Sequence, residues 1–519
     1  MRLTWSHGRR LRQVVQIFFF ALFVYLLFAG LQQQAVHPLA NLFFRLNPLS
    51  ALAAMLASRQ WLPDLAWALT IVALTIVVGR VWCGWICPTG TLLEWISFRQ
   101  ARAYTRKISP RLRLVKYSLL VIILAAALFG NASLLIFEPL ALFTRAMTEV
   151  VIPGLNYAIN ASEGALYSLG FLRPLVDGLE SVLRGTVLPV KQPAFNSPLP
   201  VAVLFFGIIA LNLLADRFWC RYLSPLGALL GWLAKLSIFR PFIGSVCNGC
   251  TRCALACKPG AIQTVPKSDA ARNAADITIV PSECTVCLDC LASCAKEGMS
   301  IQPVIKPTAA QQSTGQEFDL SRRQFLLAIA GGAAGVMLLR TDTRLRTQHA
   351  FLLRPPGVTD ETEFLSKCVR CTECLKVCPT TGLQPALNEA GLEGLWTPLL
   401  TPRVGYCDYG CNACGQVCPS QAIPKLSVDE KRQQIVGKAS VNRDRCLPWA
   451  SNTPCIVCEE MCPTPEKAIR LENVRVMNEA GETIELQQPY VLREVCIGCG
   501  ICENRCPLEG EAAIRVYSV

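Results

Sequence analysis

Cysteine spacing is the feature that most constrains this chain of 519 residues, which holds 27 cysteines. Twenty-four of them form six groups of four, and four groups follow the spacing C-x2-C-x2-C-x3-C. The regular groups are Cys247, Cys250, Cys253, Cys257; Cys284, Cys287, Cys290, Cys294; Cys368, Cys371, Cys374, Cys378; and Cys496, Cys499, Cys502, Cys506. Two groups differ in the first gap only: Cys407, Cys411, Cys414, Cys418 and Cys446, Cys455, Cys458, Cys462.

This spacing is typical of bacterial ferredoxins. Three closely spaced thiolates surround one face of a [4Fe-4S] cubane, and the fourth cysteine ligates the other cluster of a pair. Zinc needs only two C-x-x-C pairs per ion, and a disulfide framework is typical of short secreted chains. The sequence therefore predicts six [4Fe-4S] clusters with these 24 cysteines as their ligands.

The exchange of fourth ligands can also be predicted. In the first pair of groups, Cys294 is expected to complete the cluster of the 247 group, and Cys257 that of the 284 group. For the four later groups we favour a nested arrangement, in which the outer groups exchange Cys378 and Cys506 and the inner groups exchange Cys418 and Cys462. Exchange between neighbouring groups is the alternative.

A second repeat accompanies the cysteines. An Ala-Ile pair follows the last cysteine of four groups, at Ala261-Ile262, Ala422-Ile423, Ala468-Ile469 and Ala513-Ile514. Recurrence shortly after the last cysteine in these four groups indicates repeated modules. We expect the isoleucine to cover the cubane and exclude water from it.

Composition narrows the chemistry further. The three histidines, at positions 7, 37 and 349, and the lack of any C-x-x-C-H string argue against haem. Residues 1–339 hold 30 Lys and Arg against 15 Asp and Glu, whereas residues 340–519 hold 20 against 22. The formal charge of +13 therefore belongs to the apolar part of the chain, which predicts no nucleic-acid partner.

Four apolar stretches, at 13–31, 63–81, 117–136 and 198–215, match the roughly 20 residues needed to span a bilayer. Basic residues precede the first stretch and fill the loop between the second and third, which indicates that both flanks are cytoplasmic. The predicted fold class is a multi-domain chain: an α-helical membrane domain of four spans plus a short fifth signal-anchor, with two α+β bacterial-type ferredoxin modules.

Two similar strings follow the second and fourth stretches: Cys83-Gly-Trp-Ile-Cys87-Pro88 and Cys220-Arg-Tyr-Leu-Ser224-Pro225. Their matched positions indicate an internal duplication, although Ser224 is a poor replacement for a thiolate ligand. One interpretation is structural, with proline ending each helix and cysteine as small apolar filler. The other is a catalytic redox or quinone-proximal site of Cys83, Cys87 and Cys220, near Arg80, Trp82 and Glu94.

Ser321-Arg322-Arg323-Gln324-Phe325-Leu326 precedes an apolar run to Leu339, as in the twin-arginine signal that exports folded proteins. An ordinary span or a buried helix is the alternative. Because no small-residue cleavage site directly follows Leu339, we expect the segment to stay as an anchor. The predicted domains are 1–240 (membrane), 241–305 (cytoplasmic two-cluster ferredoxin), 306–320 (linker), 321–340 (signal or anchor) and 341–519 (periplasmic four-cluster ferredoxin).

These motifs resemble a known family pair. Residues 1–305 resemble the membrane subunit of the quinol-oxidising module that feeds periplasmic nitrate reductase, and residues 321–519 resemble its twin-arginine-exported four-cluster ferredoxin subunit. The string Arg354-Pro355-Pro356-Gly357 belongs to the second resemblance. Ser224 departs from the first, because the family pattern has a second C-x-x-x-C-P string. The chain is thus expected to be a fusion of the two subunits in the bacterial inner membrane.

The resemblance implies a quinol dehydrogenase component that takes electrons from the membrane quinol pool. Its expected partners are a periplasmic terminal reductase or the cytochrome subunit of that reductase, with further membrane subunits. With two clusters inside, four outside and no haem, we expect a diffusible quinone to link the two sides. The alternatives are a metal or cofactor reductase of the cytochrome-oxidase-assembly type, and a non-enzymatic conduit fed by ferredoxin.

Overall fold

The computed structural model describes residues 5–31, 37–97, 108–184, 189, 192–196, 198–264, 277–294, 298–304, 319–340, 350–477 and 483–519. Most of the linker predicted at 306–320 and the first residues of the predicted outer domain lie outside these ranges. The chain forms two compact units. The first comprises residues 1–26, 42–143 and 200–336, and the second comprises residues 27–41, 144–199 and 337–519.

The first unit is built on apolar helices. Its main helices are Trp5–Ala29, Pro48–Ser58, Ala68–Val78, Pro88–Trp95, Leu114–Leu128, Pro139–Ala146, Pro198–Ala210, Pro225–Ala234 and Arg322–Arg340, with the short turns Leu42–Arg45, Arg252–Ala256 and Asp289–Ala292. Asn47 caps Pro48–Ser58 by accepting hydrogen bonds from the amides of Leu49 and Ser50. Proline in the first turn of several of these helices costs no hydrogen bond.

Two five-residue π-helices, Trp82–Ile86 and Trp219–Leu223, occupy equivalent places in the two strings. Each is followed by a proline that begins the next helix, Pro88–Trp95 or Pro225–Ala234. Such π turns are rare and occur often at functional sites. Their equivalent positions extend the duplication seen in the sequence to the backbone.

The two-cluster module in this unit has two antiparallel pairs of strands. Phe239–Ile243 pairs with Met299–Pro303, with Phe239 opposite Pro303. Ile262–Thr264 pairs with Ile277–Ile279, with Ile262 opposite Ile279. Because the second pair lies between the two cysteine groups, it folds the 284 group back onto the 247 group.

The second unit repeats this construction twice. Its helices are Ile152–Tyr167, Arg173–Leu183, Glu361–Lys367, Glu373–Lys376, Ala413–Gln416, Val428–Arg432, Leu447–Ala450, Val457–Glu460 and Ile501–Arg505. Its antiparallel pairs are Leu383–Pro385 with Pro398–Leu400, Ile469–Met477 with Thr483–Val491, and Lys438–Val441 with Ile514–Tyr517. The first two pairs each lie between neighbouring cysteine groups.

The core of the second unit consists of cysteines and aliphatic side chains. Cys368, Cys374, Cys418, Cys496 and Cys502 are buried together with residues such as the isoleucines of three Ala-Ile pairs. Free cysteine behaves as a small apolar residue when it is buried. The cysteine groups thus form the centre of the module rather than its surface.

Two helices of the described residues are long and apolar enough to cross a bilayer, His7–Ala29 and Arg322–Arg340. The first coincides with the predicted first span and the second with the predicted signal-anchor. The other predicted spans form shorter helical segments, namely Pro63–Val78, Leu114–Leu128 and Pro198–Leu213. Gly79, with φ of 94°, and Gly130, with φ of 77°, end two of these segments early. The four predicted spans are therefore not all reproduced as full-length helices.

Candidate iron-sulfur sites and a group of buried thiols

The cysteines of the first unit converge in two places. Cys247, Cys250, Cys253 and Cys294 line one cavity, which we call site 1. Cys257, Cys284, Cys287 and Cys290 line a second, site 2. Each cavity combines three cysteines of one group with the last cysteine of the other, as the sequence predicted.

In the second unit the exchange is between neighbouring groups, so the nested arrangement is wrong. Site 3 brings the thiols of Cys368, Cys371 and Cys374 into electrostatic contact with Cys418. Site 4 is a cavity lined by Cys378 together with Cys407, Cys411 and Cys414. Site 5 is a cavity lined by Cys446, Cys455, Cys458 and Cys506, and site 6 joins Cys462 to Cys496, Cys499 and Cys502.

The strand pairs explain this correction. Leu383–Pro385 and Pro398–Leu400 form a local antiparallel pair that returns the 407 group to the 368 group. Ile469–Met477 and Thr483–Val491 do the same for the 446 and 496 groups. Closing a short loop loses less conformational entropy than closing a long one. Exchange of fourth ligands between neighbouring groups is therefore favoured over nested exchange.

Contacts join the four sites of the second unit one to the next, in a series that we call the line of cysteine sites. Sites 3 and 4 exchange Cys378 and Cys418, and sites 5 and 6 exchange Cys462 and Cys506. The two pairs meet where the Cys407 amide donates a hydrogen bond of 2.8 Å to the carbonyl oxygen of Cys499. The order is therefore 3, 4, 6, 5, with sites 3 and 5 at the ends.

The backbone of the regular groups has one shape. The residue before the second cysteine and the residue after it both have left-handed φ in all four groups: Gly249 and Thr251, Val286 and Leu288, Arg370 and Thr372, and Gly498 and Gly500. Val286 is notable because a β-branched residue rarely adopts φ of 51°. Such strain is retained mostly at functional sites, and here it wraps the backbone around the thiols.

Backbone amides donate to the sulfur of several predicted fourth ligands. The Ala261 amide lies 3.2 Å from Cys257 Sγ, the Ile423 amide 3.4 Å from Cys418 Sγ, and the Ala513 amide 3.4 Å from Cys506 Sγ. Hydrogen bonds to the sulfurs are among the factors that set a cluster's reduction potential. The Ala-Ile repeat therefore supplies an amide donor as well as an apolar cover.

The predicted role of the isoleucines is visible at two sites. Ile262 lines the cavity of site 2, and Ile514 lines that of site 5. Ile423 and Ile469 are buried in the core of the second unit. These buried side chains exclude water from the cysteines, as the Ala-Ile pairs led us to predict. The amide donors were not predicted, because the positions of backbone N–H groups depend on the fold.

The donor set suits a polynuclear cluster. Burial raises the pKa of Cys284 to about 11 and that of Cys407 to about 11, so these thiols would stay protonated without a compensating positive charge. Iron supplies that charge and ligates the thiolate form. Among the described residues, no three His, Cys, Asp or Glu side chains converge as ligands of a single metal ion. A cubane differs, because each of its four irons binds a separate thiolate.

The cysteines of the two strings also come together. Cys87 is fully buried, and Cys83 and Cys220 are within electrostatic reach of its thiol. Burial, followed by these two thiols, raises the pKa of Cys87 far above its usual range. Ser224, in the fourth equivalent position, caps the helix Pro225–Ala234 by accepting a hydrogen bond of 3.1 Å from the Gly227 amide.

Two buried arginines cross between the strings. Arg217 donates a hydrogen bond to the carbonyl oxygen of Cys83. A Cβ atom at Gly90 would lie 2.6 Å from Arg217, and one at Gly227 would lie 2.8 Å from Arg80. A Cβ atom at Gly90 would also lie 2.8 Å from the carbonyl oxygen of Cys83, so glycine is required there, whereas the end of the Arg80 side chain could move away from a Cβ atom at Gly227. Each arginine thus contacts the glycine that follows the other string.

The strings also pack against site 2. Trp85 Nε1 donates to the carbonyl oxygen of Val286 at 2.9 Å, and Arg80 donates to that of Ser282 at 2.8 Å. A Cβ at Gly84 would lie 2.3 Å from the carbonyl oxygen of Thr285. The group of Cys83, Cys87 and Cys220, which we call the thiol group, thus adjoins the loop that carries Cys284 and Cys287.

Charged side chains fix this arrangement. Glu94 accepts hydrogen bonds from Arg12 at 2.9 Å and from Lys258 at 2.7 Å. Burial alone would raise the pKa of Glu94, but the charges of Arg217, Arg12 and Lys258 hold that pKa well below its ordinary range. Trp82 is 1% exposed and packs in the core near Phe43. Glu94 is thus an ion-pair centre rather than a free acid.

One known protein family matches the two parts of the chain that contain the Cys83 and Cys220 strings. The family described as "4Fe-4S binding domain" matches residues 62–105 and again residues 197–244. Each match contains one string and one π-helix. Two matches to one family confirm the internal duplication that the sequence predicted.

The ferredoxin-type protein NapG of Escherichia coli K12 is 34% identical to this chain over 203 residues, which cover 38% of this chain and 84% of NapG. The chain belongs to the NapG/MauM family of ferredoxin-type proteins. The methylamine utilization ferredoxin-type protein MauM of Methylorubrum extorquens is 34% identical over 186 residues, covering 35% of this chain and 80% of MauM.

A longer relative is matched over part of its length. Protein NirI of Paracoccus denitrificans is 29% identical over 238 residues, which cover 44% of this chain and 26% of NirI. No solved structure matches this member of the NapG/MauM family. The comparisons therefore establish a ferredoxin-type iron-sulfur electron-transfer protein.

Proposed function

We propose that the chain is a membrane-bound quinol dehydrogenase component that carries electrons from quinol through [4Fe-4S] clusters to a periplasmic reductase. Six clusters, one at each of sites 1 to 6, would be held by the 24 cysteines. Clusters of this kind accept and release single electrons. Electrons would therefore move from each cluster to the cluster at the neighbouring site. Quinol is a two-electron donor that membranes contain. The sequence has no pattern typical of haem ligands, so we do not propose that haem carries electrons across the membrane.

The observation that carries the proposal is which loops between the predicted spans pack with which cysteine sites. Loops assigned by charge to the inner face pack with sites 1 and 2: Lys116 Nζ lies 2.7 Å from Glu283 Oε1, and Arg113 donates to the carbonyl oxygen of Gly260 at 2.8 Å. The loops after the first and third predicted spans, which four spans place at the outer face, pack with sites 3 to 6: in the first of these loops, Asn41 donates to the carbonyl oxygen of Val417 at 2.8 Å.

Two further contacts belong to the outer set. The Asn196 amide donates to Gln384 Oε1 at 2.9 Å, and Arg145 donates to the carbonyl oxygen of Arg370 at 2.8 Å. Alternate loops thus pack with alternate modules, which is the pattern that four crossings of a bilayer produce. This supports an inner-membrane chain with a cytoplasmic N-terminus and with residues 341–519 on the periplasmic side.

The partners follow from this topology. The substrate would be the membrane quinol pool, and the acceptor a periplasmic terminal reductase or its cytochrome subunit, with other membrane subunits completing the complex. Within the module, the buried isoleucines exclude water from the cysteine sites, and the amides of Ala261 and Ala513 stabilise the charge on sulfur. The chain's own residues therefore hold and insulate the redox groups.

The direct test uses the full-length chain purified without oxygen. We expect about 24 iron atoms per chain, four for each of six cubanes. We also expect turnover of a soluble quinol analogue only when an electron acceptor is supplied. Iron near eight atoms per chain, or turnover that does not need the clusters, would contradict the proposal.

One observation favours a second function. Cys83, Cys87 and Cys220 lie together beside site 2, where thiols could reduce a metal ion or cofactor, as in the cytochrome-oxidase-assembly type of reductase. The double variant Cys83→Ala, Cys87→Ala separates the two functions. Quinol-driven electron transfer from sites 3 to 6 should survive it, whereas metal reduction should be lost. A ferredoxin-fed conduit would likewise survive it but would not need quinol.

A further inference from the structure

Four polar side chains lie buried on two successive turns at the end of the helix Pro139–Ala146 and in the π-helix that follows it. They are Thr144, Arg145, Thr148 and Glu149, and each is at most 1% exposed. Within the described part of the chain, both Glu149 oxygens, both threonine hydroxyls, and the Nε and Nη1 atoms of Arg145 have no hydrogen-bond partner. Buried polar groups are nearly always hydrogen bonded, so four such groups together point to a binding site.

Arg145 connects this site to one end of the line of cysteine sites. Its Nη2 donates to the carbonyl oxygen of Arg370, which lies between Cys368 and Cys371, and its guanidinium stacks at 4.3 Å on the ring of Trp396. Its Nε and Nη1 atoms have no hydrogen-bond partner among the described residues. Site 3 is therefore the cysteine site that a molecule bound at Arg145 would meet first.

Glu149 lies four residues after Arg145, in the π-helix Met147–Val151. Burial raises the pKa of Glu149 to about 7, and the charge of Arg145 opposes part of that effect. Arg145 is the charged group that acts on Glu149 among the described residues. A carboxyl group that titrates near neutral pH is suited to accept a proton and then to release it.

The surface beside the site suits a lipid-soluble molecule. The next two helices, Ile152–Tyr167 and Arg173–Leu183, and the turn Gly170–Leu172 between them expose Tyr157, Leu175 and Phe171 by 71%, 66% and 80%. Amphipathic helices with such faces lie in the interfacial layer of a bilayer. We therefore expect the ligand of Arg145 and Glu149 to be a hydrophobic molecule that comes from the membrane rather than an ionic one.

We propose that Glu149 and Arg145 form the quinol-oxidising site of this chain, at the outer face and next to site 3. The inference rests on the proposed function and adds to it the side of the membrane, the proton acceptor and the first cysteine site to receive electrons. Arg145 is the positioning residue, since its free N–H groups can hold a quinol oxygen. Glu149 is the proton acceptor.

The reaction balances at this site. One quinol becomes one quinone by breaking two O–H bonds, and it loses two electrons and two protons. The two electrons would leave singly through the redox groups that the cysteines of site 3, and then those of sites 4, 6 and 5, would hold, and they would reduce a soluble acceptor of the reductase class. Each proton moves to a Glu149 oxygen, and the carboxylic acid then releases it to the outer solvent.

The test uses the full-length chain in lipid nanodiscs. In Glu149→Gln, reduction of the clusters by menadiol should slow by about 100-fold, which is typical of a lost general base, while reduction by dithionite stays unchanged. Binding of the quinol-site probe 2-heptyl-4-hydroxyquinoline N-oxide, followed by its fluorescence, should weaken. The infrared band of a protonated carboxyl that titrates near neutral pH should disappear.

Glu180→Gln is the matched control, because Glu180 lies in the same loop, is exposed and is paired with Arg184. It should behave as the unmodified chain does. If Glu149→Gln fails to assemble clusters, Glu149→Asp keeps the acid and should retain the infrared band with slower reduction. Equal menadiol rates and probe binding in Glu149→Gln and the unmodified chain would overturn this site, whereas an unmodified chain that menadiol cannot reduce would overturn the proposed function itself.

Discussion

The two ferredoxin modules bind their cysteines alike but are supported differently. In the first unit, sites 1 and 2 rest on buried ion pairs, with Glu283 at the centre of Lys116, Arg80 and Arg113. In the second unit, sites 3 to 6 lie in a core of cysteine and aliphatic side chains, and the buried ion pair of Lys376 with Glu373 lies within the cysteine group of site 3. The ligand exchange is therefore a property of the repeat, whereas the support depends on what each module packs against.

The largest expected effect tests the exchange in the second unit. Cys418→Ala should abolish the cluster of site 3, because Cys418 joins the thiols of Cys368, Cys371 and Cys374. Iron should fall by about four atoms per chain, one cubane, and electron transfer along the line should stop. Electron paramagnetic resonance of the reduced protein measures which cluster is lost.

Cys368→Ala is the reference for this experiment. Both variants should lose the same resonance signal if Cys418 and Cys368 share a site. Under nested exchange, Cys418→Ala would instead remove the signal that Cys446→Ala removes, and that result would refute the neighbouring pairing.

Much of this arrangement could be predicted from the sequence. The spacing predicted which three cysteines share each site, and in the first unit it also predicted the fourth, Cys257 or Cys294. In the second unit it did not, because four groups allow several exchanges and the gap before the fourth cysteine is the same in each. The short strand pair Leu383–Pro385 with Pro398–Leu400 decides the exchange, and strands of three residues give little periodicity in the sequence.

The site at Glu149 could not be predicted for a different reason. A single acid in a long loop is usually solvated, and nothing in its neighbours marks it as buried. The thiol group was predicted in part, because the two strings identified Cys83, Cys87 and Cys220. The contacts of Arg217 at Gly90 and of Arg80 at Gly227 were not predicted, since they depend on the tertiary fold.

The next effect concerns the ion pairs of the first unit. Glu283→Gln should lower the free energy of unfolding by about 3–5 kcal/mol, because it leaves buried cations without their counter-charge. Glu363→Gln breaks an exposed pair with Lys367 and should cost less than about 0.5 kcal/mol. Urea unfolding followed by cluster absorbance gives both values, and equal costs would contradict the claim that the buried ion pairs of Glu283 support sites 1 and 2.

A smaller effect depends on pH. Glu94→Gln should cost about 1.5–3 kcal/mol at pH 7, the range for hydrogen bonds to charged groups. Since the folded-state pKa of Glu94 is depressed, its stabilisation is complete above the unfolded-state pKa of about 4.3 and is lost as the pH falls toward the folded-state value. Unfolding at pH 7 and pH 5.5 should therefore show the same cost, with a decrease below about pH 4. A cost that grows on acidification would contradict this assignment.

The smallest effect concerns the aliphatic cover in the second unit. Ile514→Val should cost about 0.5–1.5 kcal/mol, because it removes one buried methylene group near Cys446 and Cys506. It should also speed the loss of that cluster in air. Ile435→Val, at a site 55% exposed, is the control and should change neither quantity.

The most direct test of the account is rapid anaerobic mixing of the full-length chain in nanodiscs with menadiol. Cluster absorbance and electron paramagnetic resonance would be followed together. We predict that the clusters of sites 3 to 6 become reduced, with the signal that Cys368→Ala abolishes appearing first. Clusters that dithionite reduces but menadiol leaves oxidised would contradict the claim that this chain takes electrons from quinol.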